Sequence, residues 1–188
     1  MNNAQTQLLI IGAGPGGYAA AFHAADLGLT VTLVDKQPNP GGVCLFRGCI
    51  PSKALLHVAK VITDAREAKE FGLDFSCHMD LNKIRTWKDS VVTRLTSGLG
   101  QLCRQRKINF IQGTAVFLSS TTARVVAASG EEKIFSFEHA IVATGSVSTS
   151  LPFAPQSKKI MYSTAALNIE DIPEKLLVIG GGYIGLEL

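Results

Sequence analysis

Charge is scarce in this sequence: charged side chains make up 18% of the 188 residues, below the ~25% of an ordinary soluble domain. Lys and Arg exceed Asp and Glu by only 18 to 15, and the excess is dispersed. No basic face for a nucleic acid is therefore expected. Proline is sparse too, seven residues without a period, which removes collagen-like and low-complexity readings. Four cysteines are too few for a secreted disulfide scaffold. Residues 1–25 carry no charged side chain, so the Lys/Arg start of a secretory leader is missing from Met1-Asn2-Asn3-Ala4-Gln5. The apolar stretch that follows is broken by Gly12, Gly14, Pro15, Gly16 and Gly17, leaving no run of about 18 apolar residues to span a bilayer. A soluble, cytoplasmic chain without a membrane segment is the expectation. Apolar residues at 46% are ample for a core, so disorder is excluded.

Glycine is what the sequence has in excess, 18 of 188 residues against an average near ~7%. Eight fall in the first 48 residues and four in the last nine. Gln7–Ile11 is a short apolar run suited to a buried parallel strand. After the glycine cluster, Tyr18–Leu27 is Ala-rich and helix-favouring, stopped at Gly28. Thr30–Val34 reads as a second buried strand ending on Asp35, which completes a βαβ unit. From Cys44 to Glu70 the pattern is helical, with Leu55, Val58, Ile62 and Ala65 on one stripe. A second helical pattern covers 81–107, weakened by Gly98 and Gly100. The period then changes, and short strands are predicted at Ile108–Ile111, Ala115–Leu118, Ala123–Ala127, Lys133–Phe137 and Ala140–Ala143. Residues 146–157 read as a linker. Lys175–Ile179 reads as another buried strand, running into a second glycine cluster that opens a helix. The chain stops three residues later, so the expectation is a fragment cut off in a second βα unit.

Gly12-Ala13-Gly14-Pro15-Gly16-Gly17 fits G-x-G-x-x-G between a strand and a helix. The first glycine permits the tight turn, the second lets backbone approach a pyrophosphate, and the third lets helix pack on strand. Free N–H groups and the helix dipole favour the phosphates there, and Pro15 sits where its missing N–H costs nothing. Asp35 is placed about 20 residues on, to accept hydrogen bonds from ribose hydroxyls. Gly180, Gly182 and Gly185 repeat the pattern, and two such motifs imply two dinucleotides. Cys44 and Cys49 are not spaced as a zinc knuckle, and no metal site is expected. Two thiols five apart at a helix start can be bridged where the turn is irregular, and Gly48 and Pro51 supply irregularity, Pro51 by removing one helical hydrogen bond. On the residues alone the pair reads either as redox-active or as structural thiols. Cys77, His78 and Cys103 are scattered and read as structural, and His23 and His57 as non-catalytic.

The segment from Gly41 to Leu56, GGVCLFRGCIPSKALL, resembles the active-disulfide segment of the flavoprotein disulfide reductases. The first glycine motif, this segment, Gly113-Thr114-Ala115, Ala143-Thr144-Gly145 and the second glycine motif come in that family's order. The resemblance implies an α/β fold: an FAD/NAD(P)-binding, Rossmann-like, doubly wound parallel sheet with a three-stranded β-meander crossover. It implies an FAD-binding segment over 1–145, a linker over 146–174, and the start of an NAD-binding domain over 175–188. FAD would lie along Gly12, Gly14, Pro15, Gly16 and Gly17, with Asp35 at the ribose and Lys36, Gly42, Gly113, Thr114, Ala115, Ala143, Thr144 and Gly145 also binding it. NAD would lie on Gly180, Gly182, Tyr183, Ile184 and Gly185. Cys44 matches the interchange thiol and Cys49 the thiol beside the flavin. Lys53 matches the lysine near the flavin N5 edge, its other reading being a solvated lysine, and Glu187 matches the glutamate that pairs with it. A Lys53–Glu187 contact is predicted.

The GCIPSKALL ending is nearest to members that oxidise protein-bound dihydrolipoyl groups with NAD+. That implies a lipoylated acyltransferase of a 2-oxo acid dehydrogenase complex as partner and a homodimer for the full-length protein. The family's His–Glu base comes from a C-terminal domain, so this chain alone is expected to be inactive. Three departures stand out. Val43 replaces a usual Thr, Phe46-Arg47 replaces a smaller pair, and Tyr183 is commoner in glutathione-type reductases, or else a packing residue. The rival readings are a mercuric- or glutathione-type disulfide reductase and an inert FAD-binding module.

Overall fold

The computed structural model describes residues 3–188; Met1 and Asn2, the first two residues of the uncharged start, lie outside the described residues. The chain divides into two compact units, Met1–Phe46 with Arg94–Val147 and Arg47–Thr93 with Ser148–Leu188.

The first unit is built on a mixed sheet of five strands: β1 (Asn3–Ile11), β2 (Val31–Asp35), β3 (Asn109–Phe117), β4 (Thr122–Ala127) and β5 (Glu132–Val142). β1 lies parallel between β2 and β5, and β2 is parallel to β3. β4 runs antiparallel to both β3 and β5, which closes the five strands into a barrel. Alternation along β1 serves two cores. Leu8 and Ile10 pack with Ala21, Ala24 and Cys103, whereas Leu9 packs with Val125, Phe135 and Phe137. Helix α1 (Pro15–Asp26) presents small buried residues, Gly17, Ala21 and Ala24. It ends in a left-handed Gly28 (φ 89°), with the Gly28 and Leu29 N–H groups donated to the carbonyls of Ala25 and Ala24.

Five short strands were predicted between 108 and 143, and three are found. The predicted strands 108–111 and 115–118 are one strand, β3, which pairs with β2 through Gln112 and with β4 from Gly113. Gly113 is a close-approach site rather than a break: a Cβ there would stand 2.2 Å from the Val126 carbonyl oxygen. The predicted strands 133–137 and 140–143 are likewise one strand, because the β1 ladder keeps its register from Phe137 opposite Thr6 to His139 opposite Leu8.

The second unit holds α3 (Cys49–Glu67), a 3-10 turn over Ala68–Phe71, α5 (Ser163–Ala166), α6 (Tyr183–Glu187) and the N-terminal part of α4 (Leu81–Gln105). The helix predicted over 44–70 is interrupted: α2 (Gly42–Arg47) ends before Gly48, and α3 restarts at Cys49. Pro51 removes no hydrogen bond, contrary to the sequence reading, because it occupies the first turn of α3, where the N–H would have no intrahelical acceptor. Lys88, buried on α4, donates to the Leu167 carbonyl at 3.0 Å, and Arg85 donates to that of Ile169 at 2.8 Å. The strand predicted at Lys175–Ile179 is absent among the described residues. A strand exists only against a partner, and no ladder reaches this segment, whose Leu177 and Ile179 are largely exposed.

Candidate functional site

The first glycine motif is a turn that only glycine can make. Gly12 adopts φ 99°, and a Cβ on it would lie 2.2 Å from the Ala143 carbonyl oxygen. Gly14 is the N-cap of α1 and carries no side chain to satisfy the first N–H groups, while Pro15 opens the helix. Around Gly16 there is open space, and Gly14 faces only the Cα of Gly42, 3.8 Å from where its Cβ would be. Gly42 itself has φ 59° and tolerates no Cβ, since Gly14 Cα would be 2.5 Å away. A bare helix N-terminus of this kind favours an anion.

Neighbouring segments hold that turn. The Gly12 N–H is donated to Val34, that of Gly41 to Ala13, and that of Ala143 to Ile11, at 2.7–2.8 Å. Asp35 ties the turn to the next loop, its Oδ2 accepting from the Ala13 N–H at 2.6 Å and its Oδ1 from the Gln37 N–H at 2.8 Å. The sequence placed Asp35 at the end of a strand but gave no sign of these two bonds. Lys36 is exposed, and its carbonyl accepts from the Gln112 side chain. Thr114 and Ala115 follow Gly113 on β3, and Thr144 and Gly145 (φ 71°) follow β5. Tyr18, one turn beyond Gly14, went unnoticed in the sequence. Its half-buried ring pairs with Phe22 at 5.7 Å, and burial with the nearby Cys44 charge pushes its phenol up.

The second motif reproduces the first. Gly180 has φ 114° against 99° for Gly12, and the N-cap angles of Gly182 (−75°, 174°) match those of Gly14 (−70°, −176°). In both motifs the third glycine stands against the first: a Cβ on Gly17 would be 1.7 Å from the Gly12 oxygen, and one on Gly185 2.1 Å from the Gly180 oxygen. Tyr183 and Ile184 start α6 and are exposed.

Cys44 is half-buried on α2 in the first unit. In the second unit, Cys49 is exposed and opens α3. Lys53 lies one turn along α3 and forms the predicted ion pair with Glu187. Ser52, which the sequence reading passed over, donates to the other Glu187 oxygen at 2.5 Å. These two donors, Lys53 first, hold the Glu187 carboxyl below the usual carboxylate range. The side chains of Lys53 and Glu187 are 58% and 28% exposed, so solvent screens the pair. Cys103 is buried in the first core, where burial pushes its thiol up, while Cys77 is exposed. No helix among the described residues is long and apolar enough to cross a membrane.

A family profile described as pyridine nucleotide-disulphide oxidoreductase matches residues 6–188. The chain is 46% identical over 186 residues to a dihydrolipoyl dehydrogenase from Buchnera aphidicola and to one from Haemophilus influenzae, in each case over 98% of this chain and 39% of the relative. A dihydrolipoyl dehydrogenase from Geobacillus stearothermophilus is 45% identical over 185 residues. Among solved structures, the HOCl-induced flavoprotein disulfide reductase RclA from Escherichia coli superimposes with a TM-score of 0.76 at 29% identity, over 96% of this chain and 38% of that one. The chain thus spans about 39% of the length of the curated relatives it matches.

Proposed function

The chain belongs to the pyridine nucleotide-disulphide oxidoreductase family, and from that premise we propose that it is the N-terminal part of a dihydrolipoyl dehydrogenase using FAD and NAD+. The carrying observation is the pair of glycine turns with matching backbone angles, one on each side of Cys44 and Cys49. The first holds the FAD pyrophosphate on α1, with Asp35 toward the ribose and Lys36 and the 113–115 and 143–145 segments also binding the cofactor. The second receives NAD on α6. In this reading β3, β4 and β5 form the meander crossover of a doubly wound, Rossmann-like sheet. Residues 1–145 are the FAD-binding segment, 146–174 a linker, and 175–188 the opening of the NAD-binding domain.

The chemistry of this chain's own residues is thiol–disulfide exchange. A thiolate of the dihydrolipoyl group attacks Cys44 Sγ of a Cys44–Cys49 disulfide, forming a mixed disulfide and releasing Cys49 as thiolate. The second substrate sulfur then displaces Cys44, so the dithiol leaves as a disulfide and both cysteines are reduced. Cys49 stands exposed at the start of α3. Bound FAD supplies the two-electron carrier that links the cysteine pair to NAD+. Lys53, one turn from Cys49, keeps a positive charge on that face of α3, with Glu187 as its counter-ion. The partner is a lipoylated acyltransferase of a 2-oxo acid dehydrogenase complex, met in the cytoplasm by a homodimer of the full-length protein.

The test uses the complete protein, purified with its flavin and assayed for NAD+-dependent oxidation of dihydrolipoamide. Activity with bound flavin is expected, and Cys44→Ser and Cys49→Ser are each expected to abolish it. A protein that binds no flavin, or a Cys44→Ser variant with undiminished turnover, would sink the reading.

A further inference from the structure

Ser52 stands in the first turns of α3, three residues after Cys49 and one before Lys53, so these three side chains share one helix face. A serine within a helix ordinarily turns its hydroxyl back to the carbonyl four residues earlier. That carbonyl, on Gly48, takes the Ser52 N–H at 3.0 Å, the ordinary helical bond, and would have a lone pair left for the hydroxyl. The Ser52 hydroxyl reaches instead across 135 residues of chain to Glu187 Oε2 at 2.5 Å. Glu187 Oε1 accepts from Lys53 Nζ. One carboxylate therefore grips two consecutive side chains of α3, and among the described residues Lys53 is the charged group in contact with it.

The ion pair cannot fix this arrangement alone. Lys53 is 58% exposed, and a solvated ammonium on a flexible four-carbon stem has many positions of similar energy. Ser52 has one side-chain rotor placing its oxygen, so its bond pins the carboxylate in both place and rotation. We propose that Ser52 is a positioning residue of the redox site: its hydroxyl holds one oxygen of Glu187 so that the other meets Lys53 in a single geometry on the Cys49 face of α3. This inference rests on the proposed dihydrolipoyl dehydrogenase reading and adds a residue to it. The lowered titration of Glu187 agrees with it, since both donors favour the charged carboxylate.

The complete protein carrying Ser52→Ala or Ser52→Thr is compared with the unsubstituted enzyme in two measurements. These are dihydrolipoamide oxidation across pH and hydrogen exchange of residues 183–188. Ser52→Ala is expected to lower kcat about three- to tenfold, the range for one hydrogen bond to a charged group after discounting exposure. KM for dihydrolipoamide is expected to stay constant. Losing a donor to the carboxylate raises the Glu187 titration, so the acid limb of the pH profile moves to higher pH and exchange at 183–188 quickens. Ser52→Thr keeps the hydroxyl and is expected to restore all of these. An Ala variant equal to the unsubstituted enzyme in both measurements, or a Thr variant as impaired as the Ala variant, overturns the proposal. An unsubstituted enzyme that does not oxidise dihydrolipoamide overturns the parent reading and with it a positioning role in that reaction, whatever the exchange at 183–188 reports.

Discussion

Two adjacent glycines, Gly16 and Gly17, should respond oppositely to the same substitution. Both lie in the first turn of α1 with backbone angles open to any residue. A methyl on Gly16 meets nothing within 4 Å. Replacing glycine with alanine in a helix then gains about 0.5–1 kcal/mol. A methyl on Gly17 would sit 1.7 Å from the Gly12 oxygen and 2.8 Å from its carbon. To regain a contact of about 3.5 Å, the start of α1 and the Gly12 turn must separate by nearly 2 Å. The obstacle is backbone, so no side chain can swing aside. Overpacking typically costs about 1–3 kcal/mol, and this case belongs at the upper end. At roughly 2–4 °C per kcal/mol for a chain of this size or larger, Gly17→Ala should lower Tm by about 6–12 °C while Gly16→Ala raises it slightly. Calorimetry on the complete, flavin-stripped protein removes cofactor contacts from the comparison. Equal Tm values for the two variants would refute the reasoning, because the Gly12 backbone is the close obstacle at Gly17 and Gly16 has none. Gly185→Ala should behave like Gly17→Ala, its obstacle being the Gly180 oxygen at 2.1 Å.

Asp35→Asn leaves one acceptor oxygen for two backbone donors, a loss of about 1–3 kcal/mol; equilibrium dialysis should show FAD bound about five- to 150-fold more weakly, and unchanged affinity would count against Asp35 as the clamp of the turn. Because Lys53 and Ser52 depress the Glu187 titration, their contribution is fully present above the ordinary carboxylate range and disappears as pH falls through the depressed value. Exchange protection at 183–188 should therefore persist into mildly acid solution and then fall, whereas Glu187→Gln should flatten that dependence; a fall beginning near neutrality would contradict the assignment. Lys88→Met keeps the buried stem but leaves the Leu167 carbonyl without its donor, again about 1–3 kcal/mol. Limited proteolysis should then cut faster within 163–170, and an unchanged cutting rate would show that Arg85 alone suffices.

The βαβ unit was legible because its signals are local. Apolar runs at Gln7–Ile11 and Thr30–Val34 flank a glycine turn whose three constraints fall within six residues. The Lys53–Glu187 pair was foreseen only through resemblance, since nothing local joins residues so distant in the chain. The strands after 108 were miscounted because Gly113-Thr114 and Glu138-His139 look like breaks. Each is crossed by a ladder whose partner comes from elsewhere in the chain. Lys175–Ile179 erred the other way: its composition is that of a strand, but composition supplies no neighbour. The hydrogen bonds that Asp35 accepts and the one that Ser52 donates were invisible for a related reason. Side-chain partners of that kind are chosen by tertiary geometry, and sequence spacing fixes only the helix or strand that presents them.

The pairing of β1 with β5 has a consequence for how the protein is made. On the ribosome, Leu9 and Ile11 emerge early, yet their neighbours Ala140 and Val142 follow some 130 residues later. At typical synthesis rates of about 5–20 residues per second, that is a wait of roughly 7–25 s. Over that interval β1 can pair with β2, but its other edge and the face that Phe135 and Phe137 will cover stay open to water. A nascent chain in this state is a natural client for a chaperone that shields apolar strands, and stalling translation shortly before residue 132 should hold it there.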